Sequence, residues 1–497
     1  MYKRQGLLRR GFHPLFMTIV EVAYQDGERD NYFLPLAICG AADVKTIEER
    51  SPHGVLARVT GARKGVLFDG WLDNSFARAM LESIEQSQEI RMRRGVVQSI
   101  PTALFKLVRG EEGLEIKRLG GEQSNTSVIY GDRLILKLFR RLQPGVNPDY
   151  EIGRQLTEVV GYTRVPAVTG AFEHRMTAEQ PMTIGLLQQF VESQADGWRH
   201  ATDEVGRYYE DVGGTLSPSM PIPDTISGLL GLTLPAGVRD LMGGYVSTAE
   251  TLGRRTAEVH LALASDSSTA AFAPEPFTQD DLSSLTKEAA GQAQTAIDTL
   301  RVALDAPSGR DLPPEVTAQA RALLAAQEDL LGRIRSTPAL NFSASKIRVH
   351  GDYHLGQVLW AEGDFYILDF EGEPARGIAQ RREKQSPLKD VAGMLRSFSY
   401  AAYAGLFAHV STRSATIAEM EPWARIWQTS ASASFLKGYF GTVDGAAFIP
   451  TEPSQRDLLL QLFMLDKALY ELNYELNNRP DWVRIPLTAI LGLVRGE

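Results

Sequence analysis

A single cysteine, Cys39, stands in 497 residues, so the chain cannot form an intrachain disulfide. That scarcity fits a reducing compartment, and a cytoplasmic location is the expectation. No apolar stretch nears the roughly twenty residues that cross a bilayer, so no membrane partner is expected. The first ten residues are basic, but the apolar segment 15–22 is short and lacks a cleavage pattern, so no signal peptide is read. Basic residues are in deficit, 52 against 61 acidic, for a net charge of −9. Nucleic acid therefore finds no general attraction, although a local basic site for a nucleotide's phosphates stays open. Internal repeats, low-complexity tracts and sustained heptads are absent too. No Gly-x-x-x-x-Gly-Lys-Ser/Thr segment occurs, which disfavours a P-loop enzyme.

What remains is an ordinary globular composition, 43% hydrophobic and 23% charged, in a chain long enough for two to four domains. The first hundred residues mix strand and helix. Segments 15–23 and 31–38 are β-rich and flank Asp26-Gly27-Glu28, a hairpin pattern. Helical spacing follows over 71–89. Segments 105–108 and 114–116 flank Gly110-Glu111-Glu112-Gly113 and predict a second hairpin. A glycine loop at 120–121 leads to strands at 127–130 and 134–139, joined by Gly131-Asp132. A helix is predicted over 149–160 and a buried strand over 183–191. Beyond it the spacing turns helical at 240–264, 278–304, 314–334, 387–408, 422–440, 454–476 and 482–494. Gly/Pro/Ser-rich stretches near 213–223 and 306–314 read as loops.

Two acids interrupt the helical half. Asp352, in His350-Gly351-Asp352-Tyr353-His354, follows the apolar run 347–349; Asp369 follows 365–368. Both runs read as short buried strands, and each acid alone is more often a strand-end cap than a catalyst. Together they offer what phosphoryl transfer from ATP needs: a carboxylate to accept a hydroxyl proton and another to hold magnesium. Gln357, five positions after Asp352, is either a polar loop residue or a further oxygen donor to metal, at the spacing where protein kinases place an asparagine. Lys137 lies inside the strand 134–139. It either points to solvent or reaches the α- and β-phosphates while paired with a glutamate of the next helix, Glu151 in preference to Glu158. The polar loop 120–127, with its glycines, hydroxyls and amides, is either a plain turn or a phosphate cover. A strand-rich stretch before a helix-rich one, with candidates on both sides, is the order expected of a two-lobed phosphotransferase.

The HGDxH segment with its downstream Asp369-Phe370 resembles the aminoglycoside phosphotransferase branch of the kinase-like fold. Longer stretches resemble the bacterial maltokinases: 121–127, 134–141, 147–153, 349–359, the Asp-Phe-Glu-Gly-Glu-Pro run 369–374, and 386–397. The likeness spans roughly residues 15–490. It implies an α+β, bilobal protein-kinase-like fold with an extra N-terminal α/β cap domain (1–98), a kinase-like N-lobe (99–192) and a large helical C-lobe (193–497). It implies ATP and Mg2+ as cofactors and transfer of the γ-phosphate to the anomeric hydroxyl of maltose. By the motif match Asp352 would be the base, Gln357 and Asp369 the magnesium ligands, Lys137 the phosphate lysine and Glu151 its partner. Gly121, Ser124, Asn125 and Thr126 would cover the phosphates, and Gln189 and Val191 would offer backbone groups to adenine. Asp390 would brace the catalytic loop. His354, Glu371, Glu373, Arg376 and Trp198 are the candidate sugar contacts. The first twelve residues lack the family's Arg-Trp-Phe-Gly-Gly-Lys-like opening. The expectation is a shortened form or the tail of a trehalose synthase fusion, with trehalose synthase as a partner and a cap domain short of one strand. The alternatives are a kinase of another sugar or of an aminoglycoside, and a catalytically dead kinase-like module, which the presence of Lys137, Asp352 and Asp369 disfavours.

Overall fold

The computed structural model describes residues 2–10, 13–61, 64–111, 113–118, 125–177, 179–212, 220–223, 225–305, 312–337, 342–413 and 415–495. It divides into two compact units, Met1–Glu192 with Phe370–Arg382, and Ser193–Asp369 with Glu383–Glu497.

The first unit carries two antiparallel sheets. One runs β1 (Tyr2–Arg9), β2 (Leu15–Ala23), β3 (Arg29–Gly40), then β5 (Gly65–Asp69) and β4 (Val55–Val59). The hairpin β2–β3 pairs Leu15 with Ala37 and Ile19 with Phe33. Alternation places Leu15, Met17 and Ile19 in the core, the period-two pattern of a sheet buried on one face. The N-terminal residues that look unlike the family supply its edge strand β1.

The second sheet has the order β6 (Glu89–Arg91), β7 (Val96–Pro101), β12 (Val168–Arg175), β13 (Met182–Gln189), β10 (Leu134–Phe139), β9 (Asn125–Tyr130), β8 (Ile116–Arg118), and β11 (Arg141–Leu142) joins the first sheet at β3. One core cluster, from Leu15 to Leu187, packs this unit. The segment predicted as the first arm of a hairpin is instead a helix, Phe105–Arg109. Phe105 is buried while Leu107 is 77% exposed, a spacing no two-sided strand would choose; short apolar runs leave that choice to tertiary contacts.

The second unit is helical around a three-stranded sheet, β14 (Ala195–Asp196), β17 (Val358–Ala361), β18 (Asp364–Ile367), with a two-stranded pair β15 (Glu275–Pro276) and β16 (Ser345–Lys346). The expected strand at 347–349 does not form: Ile347 makes an isolated bridge to Gln385 and the next residues are buried loop. The helix expected from residue 240 begins at Tyr245 because Gly243, with φ 53, ends the short helix Ala236–Met242 in the left-handed region. The helix expected from Pro422 begins at Ile417, where Thr416 and Glu419 form a reciprocal capping box. A cluster built from Gln279–Asp305, Pro314–Ala325, Gln327–Arg335, Pro453–Asn478 and Arg484–Arg495 forms the distal core. Among the described residues no helix is long and apolar enough to cross a membrane.

Candidate functional site

Lys137 sits in the middle of β10, opposite Ser127 on β9 and Leu186 on β13. Its neighbours Leu136 and Leu138 are buried on one face, so Lys137 emerges on the other. Its Nζ lies 2.7 Å from Glu371 and 3.4 Å from Oδ2 of Asp149, which is wholly buried. A half-buried ammonium is tolerable only with such partners. Asp149 is fixed from both sides. Asn147 caps the helix Pro148–Arg154 by accepting from the Asp149 N–H, and the Phe370 N–H donates to Asp149 Oδ1 at 2.9 Å.

This geometry corrects the expected Lys137–Glu151 assignment. Residues two apart lie about 200° apart around a helix, so the turn that presents Asp149 to the lysine carries Glu151 away from it. Glu151 receives both arms of the Arg382 guanidinium, at 2.6 and 2.9 Å. Glu371, expected among the sugar contacts, is also repositioned: besides Lys137 it accepts from Asn125 Nδ2 at 3.1 Å. Glu373 and Arg376 pair with each other at 2.8 Å. Thr126 accepts from Arg140 at 2.8 Å. Gly121 and Ser124 lie outside the described residues. At the end of β13 the Gln189 N–H donates to the Ala167 carbonyl and the Phe190 N–H to that of Arg133. Among the described residues the Val191 N–H has no partner, so Val191 rather than Gln189 keeps a donor for a ligand.

In the second unit Asp352 stands on a loop tied at nearly every residue. The Asp390 carboxylate, at the start of Leu388–Thr412, accepts from the His350 N–H at 2.8 Å and the Gly351 N–H at 2.9 Å. His350 Nε2 bonds the Leu368 carbonyl at 2.7 Å, and the Leu368 N–H donates to the Gln357 carbonyl. These two bonds hold the Gln357 and Asp369 segments side by side. Leu355 N–H donates to Ser397, and Tyr353 OH bonds Thr256. Asp369 itself has φ 64, a conformation rare for a residue with a side chain and often kept at functional positions. Trp198 belongs to the helix Gly197–Val212. The first residue of that helix backs so closely on the loop that a Cβ there would meet the Leu355 carbonyl at 2.8 Å.

Two groups around this loop escaped the sequence reading. Lys467, from Pro453–Asn478, reaches Asp352 Oδ1 at 3.4 Å. His260, from Tyr245–Ala264, is buried with Nε2 at 3.0 Å from Asp390 and Nδ1 at 2.9 Å from Tyr439 OH. Both sit ninety residues or more from the loop in sequence, and nothing but a helical pattern marks them. Burial raises Asp390, but bonds from His260 and the Gly351 N–H outweigh it and leave the acid below the usual carboxylate range. Burial lowers His354, so its ring is neutral, with Nδ1 accepting from the Gly356 N–H at 3.0 Å. The structure thus groups Lys137, Asp149, Glu371 and Asn125 in the first unit. In the second it groups Asp352, His354, Gln357 and Asp369.

Residues 115–373 match APH, the phosphotransferase enzyme family. A glucosamine kinase of Streptacidiphilus jiangxiensis is 25% identical over 418 residues, covering 81% of this chain and 78% of that one. A glucosamine kinase of Mycolicibacterium smegmatis is 24% identical over 421 residues, covering 84% and 88%. The solved structure of a glucosamine kinase in complex with glucosamine, ADP and inorganic phosphate superposes with a TM-score of 0.64, covering 99% of this chain and 94% of that one at 19% identity. The fold is kinase-like, and by the match over half its length the chain belongs to the phosphotransferase enzyme family.

Proposed function

We propose that this protein is an ATP-dependent sugar kinase that transfers the γ-phosphate to a sugar hydroxyl, with Asp352 as the base. The observation that carries the reading is the loop 350–357. Its backbone is fixed by Asp390, while the Asp352 carboxylate projects from it toward Lys467 alone among the described residues. A carboxylate so held can orient a hydroxyl and accept its proton as the phosphoryl group departs. Lys137, held by Asp149 and Glu371, would meet the nucleotide's phosphates, with Asn125 and Thr126 beside them; the Val191 N–H would meet adenine. Gln357 and Asp369 fit a magnesium ion, because both offer hard oxygens and the bonds through Leu368 hold their segments together. Bound there, the ion would neutralise phosphate charge. Most of the rate enhancement then comes from positioning and charge neutralisation.

Glucosamine is the acceptor to test first, since the curated relatives are glucosamine kinases. Maltose is the second reading, favoured by the segments 121–127, 147–153 and 369–374. Incubation with ATP, Mg2+ and a panel of glucosamine, maltose, glucose, trehalose and kanamycin, read by phosphorus NMR, decides between them. The expected result is product from glucosamine or maltose, with Asp352→Asn lowering kcat by about 10²–10⁴-fold. Product from kanamycin alone, or from no acceptor, sinks the sugar-kinase reading. Undiminished turnover by Asp352→Asn removes that residue from its role.

A further inference from the structure

The second unit contains a cavity of about 840 Å³, away from the loop 350–357 and used by none of the chemistry above. Its volume falls in the range of small-molecule sites. What sets it apart is its hydroxyls. Ser399 of Leu388–Thr412, and Thr429 and Ser432 of Ile417–Thr442, line it and are buried at 3%, 6% and 5% exposure. Among the described residues none of these three hydroxyls has a hydrogen-bond partner. Helical hydroxyls often satisfy themselves on a carbonyl of the preceding turn; on this same helix Ser434 donates to the Ser430 carbonyl and Thr442 to that of Gly438, each at 2.8 Å, whereas the Ser430 hydroxyl is buried and unpaired away from the cavity. Gln319 adds a fourth polar group on the wall. Its Nε2 donates to Thr488, while its Oε1 is buried and unpaired. The three hydroxyl oxygens are open to the cavity rather than sealed off, as Gln319 Oε1 is, so three hydroxyls without a protein partner line one space that a hydrogen-bonding occupant would fill.

The wall suits a neutral occupant. Two of the ionic groups on the wall are already committed: Arg396 donates twice to Glu471, at 2.6 and 2.9 Å, and Glu421 accepts from Tyr403 OH at 2.7 Å. Arg425 sits at the exposed rim. Between the polar groups lie Leu395, Ile426, Leu460 and Met464, apolar surface of the kind that packs the C–H face of a sugar ring. Leu460 and Met464 also continue along their helix into Lys467 and Glu471, spaced by four, three and four residues. One helix stripe therefore lines the cavity, reaches Asp352 and pairs with Arg396.

We propose that this cavity is a saccharide-binding site for a neutral sugar, separate from the position of the reacting hydroxyl at Asp352. It rests on the sugar-kinase reading only for the choice of ligand class. The sugar is either the far ring of the acceptor itself or a second saccharide molecule, and the hydroxyls of Ser399, Thr429 and Ser432 with the Gln319 amide hold it.

The test is calorimetric titration of the full chain, with a non-hydrolysable ATP analogue present, by maltose, glucose and glucosamine. Wild type is compared with Thr429→Val/Ser432→Ala, which removes two hydroxyls at nearly constant volume, and with Gln319→Leu, whose substitution lies at the wall of a different helix. Thermal melts establish that each variant is folded. Saccharide binding is expected to weaken about tenfold or more in the variants, each lost pair costing about a factor of ten. If the cavity holds the far ring of the acceptor, KM for maltose rises about tenfold while that for glucose stays within about twofold. If it holds a second molecule, wild type binds two equivalents and the variants one, at unchanged KM. Wild-type affinity, stoichiometry and KM in both folded variants, or no saccharide binding to wild type, overturn the proposal and leave the cavity to water. Failure of the kinase reading looks different: no product forms from any sugar, while binding still responds to the variants.

Discussion

Asp149 and Glu151 differ by two positions, and their neighbours separate them. Asp149 is buried against Lys137 and takes the Phe370 N–H, whereas Glu151 is clamped by Arg382. Replacing Asp149 with Asn removes the charge that holds the lysine, so kcat/KM for ATP is expected to fall about tenfold or more, with Glu151→Gln within about threefold of wild type. The reverse order would restore Glu151 to the lysine. The sequence could not make this distinction, because both acids fit a helix and only the facing of the helix decides between them. His354 offers a pH test of the second unit. Burial holds its ring below the usual histidine range, so folding favours the neutral form. An unfolded histidine titrates near pH 6.5. The contribution is therefore full above about pH 6.5 and is lost as pH falls through the lower folded value. His354→Asn keeps an acceptor for the Gly356 N–H without titrating. The difference in Tm, wild type minus variant, is expected to shrink as pH is lowered from about 7.5 to about 5; a pH-independent difference would contradict it.

At the scale of elements, the catalytic loop depends on how closely one helix approaches it. Gly393, on Leu388–Thr412, faces the Tyr353 carbonyl so closely that a Cβ would stand 2.5 Å from its oxygen. Tyr353 adjoins Asp352, so Gly393→Ala forces helix and loop apart. The expected cost is about 1–3 kcal/mol in urea unfolding, with a fall in kcat of about fivefold or more and little change in KM for ATP. Loss of stability with unchanged kcat would mean that the helix shift does not reach the base. Long helices were legible here because their periodic patterns run for twenty residues or more, as in Pro453–Asn478. Short elements were not. The run Phe105–Val108 reads equally well as strand or turn of helix, and 347–349 gains its burial without a sheet partner. Helix starts moved where a reciprocal cap at Thr416 overrode the proline six residues on. The loop 350–357 and Lys137 were legible from motif and order. Lys467 and His260 were not, because long-range packing alone brings them to the loop.

For the whole molecule, the chain leaves the first unit after Glu192 and returns to it for Phe370–Arg382. That returning segment is bound there by the Phe370 N–H on Asp149, by Glu371 on Lys137 and by Arg382 on Glu151. No pattern in the sequence marks the return, since the residues on either side, Asp369 and Glu383, belong to the second unit. Stability is therefore expected to follow the spatial unit rather than the chain. Leu472, wholly buried in the distal core of the second unit, provides the probe. Leu472→Ala costs about 2–5 kcal/mol through the cavity it leaves, and that loss belongs to the unit whose core it opens. In hydrogen exchange read by mass spectrometry, peptides from Gln279–Asp305 and Pro453–Asn478 are expected to lose protection in this variant. Peptides covering 370–382 should keep wild-type protection together with those of β10 and β13. If 370–382 instead loses protection with the helices, its bonds to Asp149, Lys137 and Glu151 do not govern its stability, and the lysine's setting depends on the second unit after all.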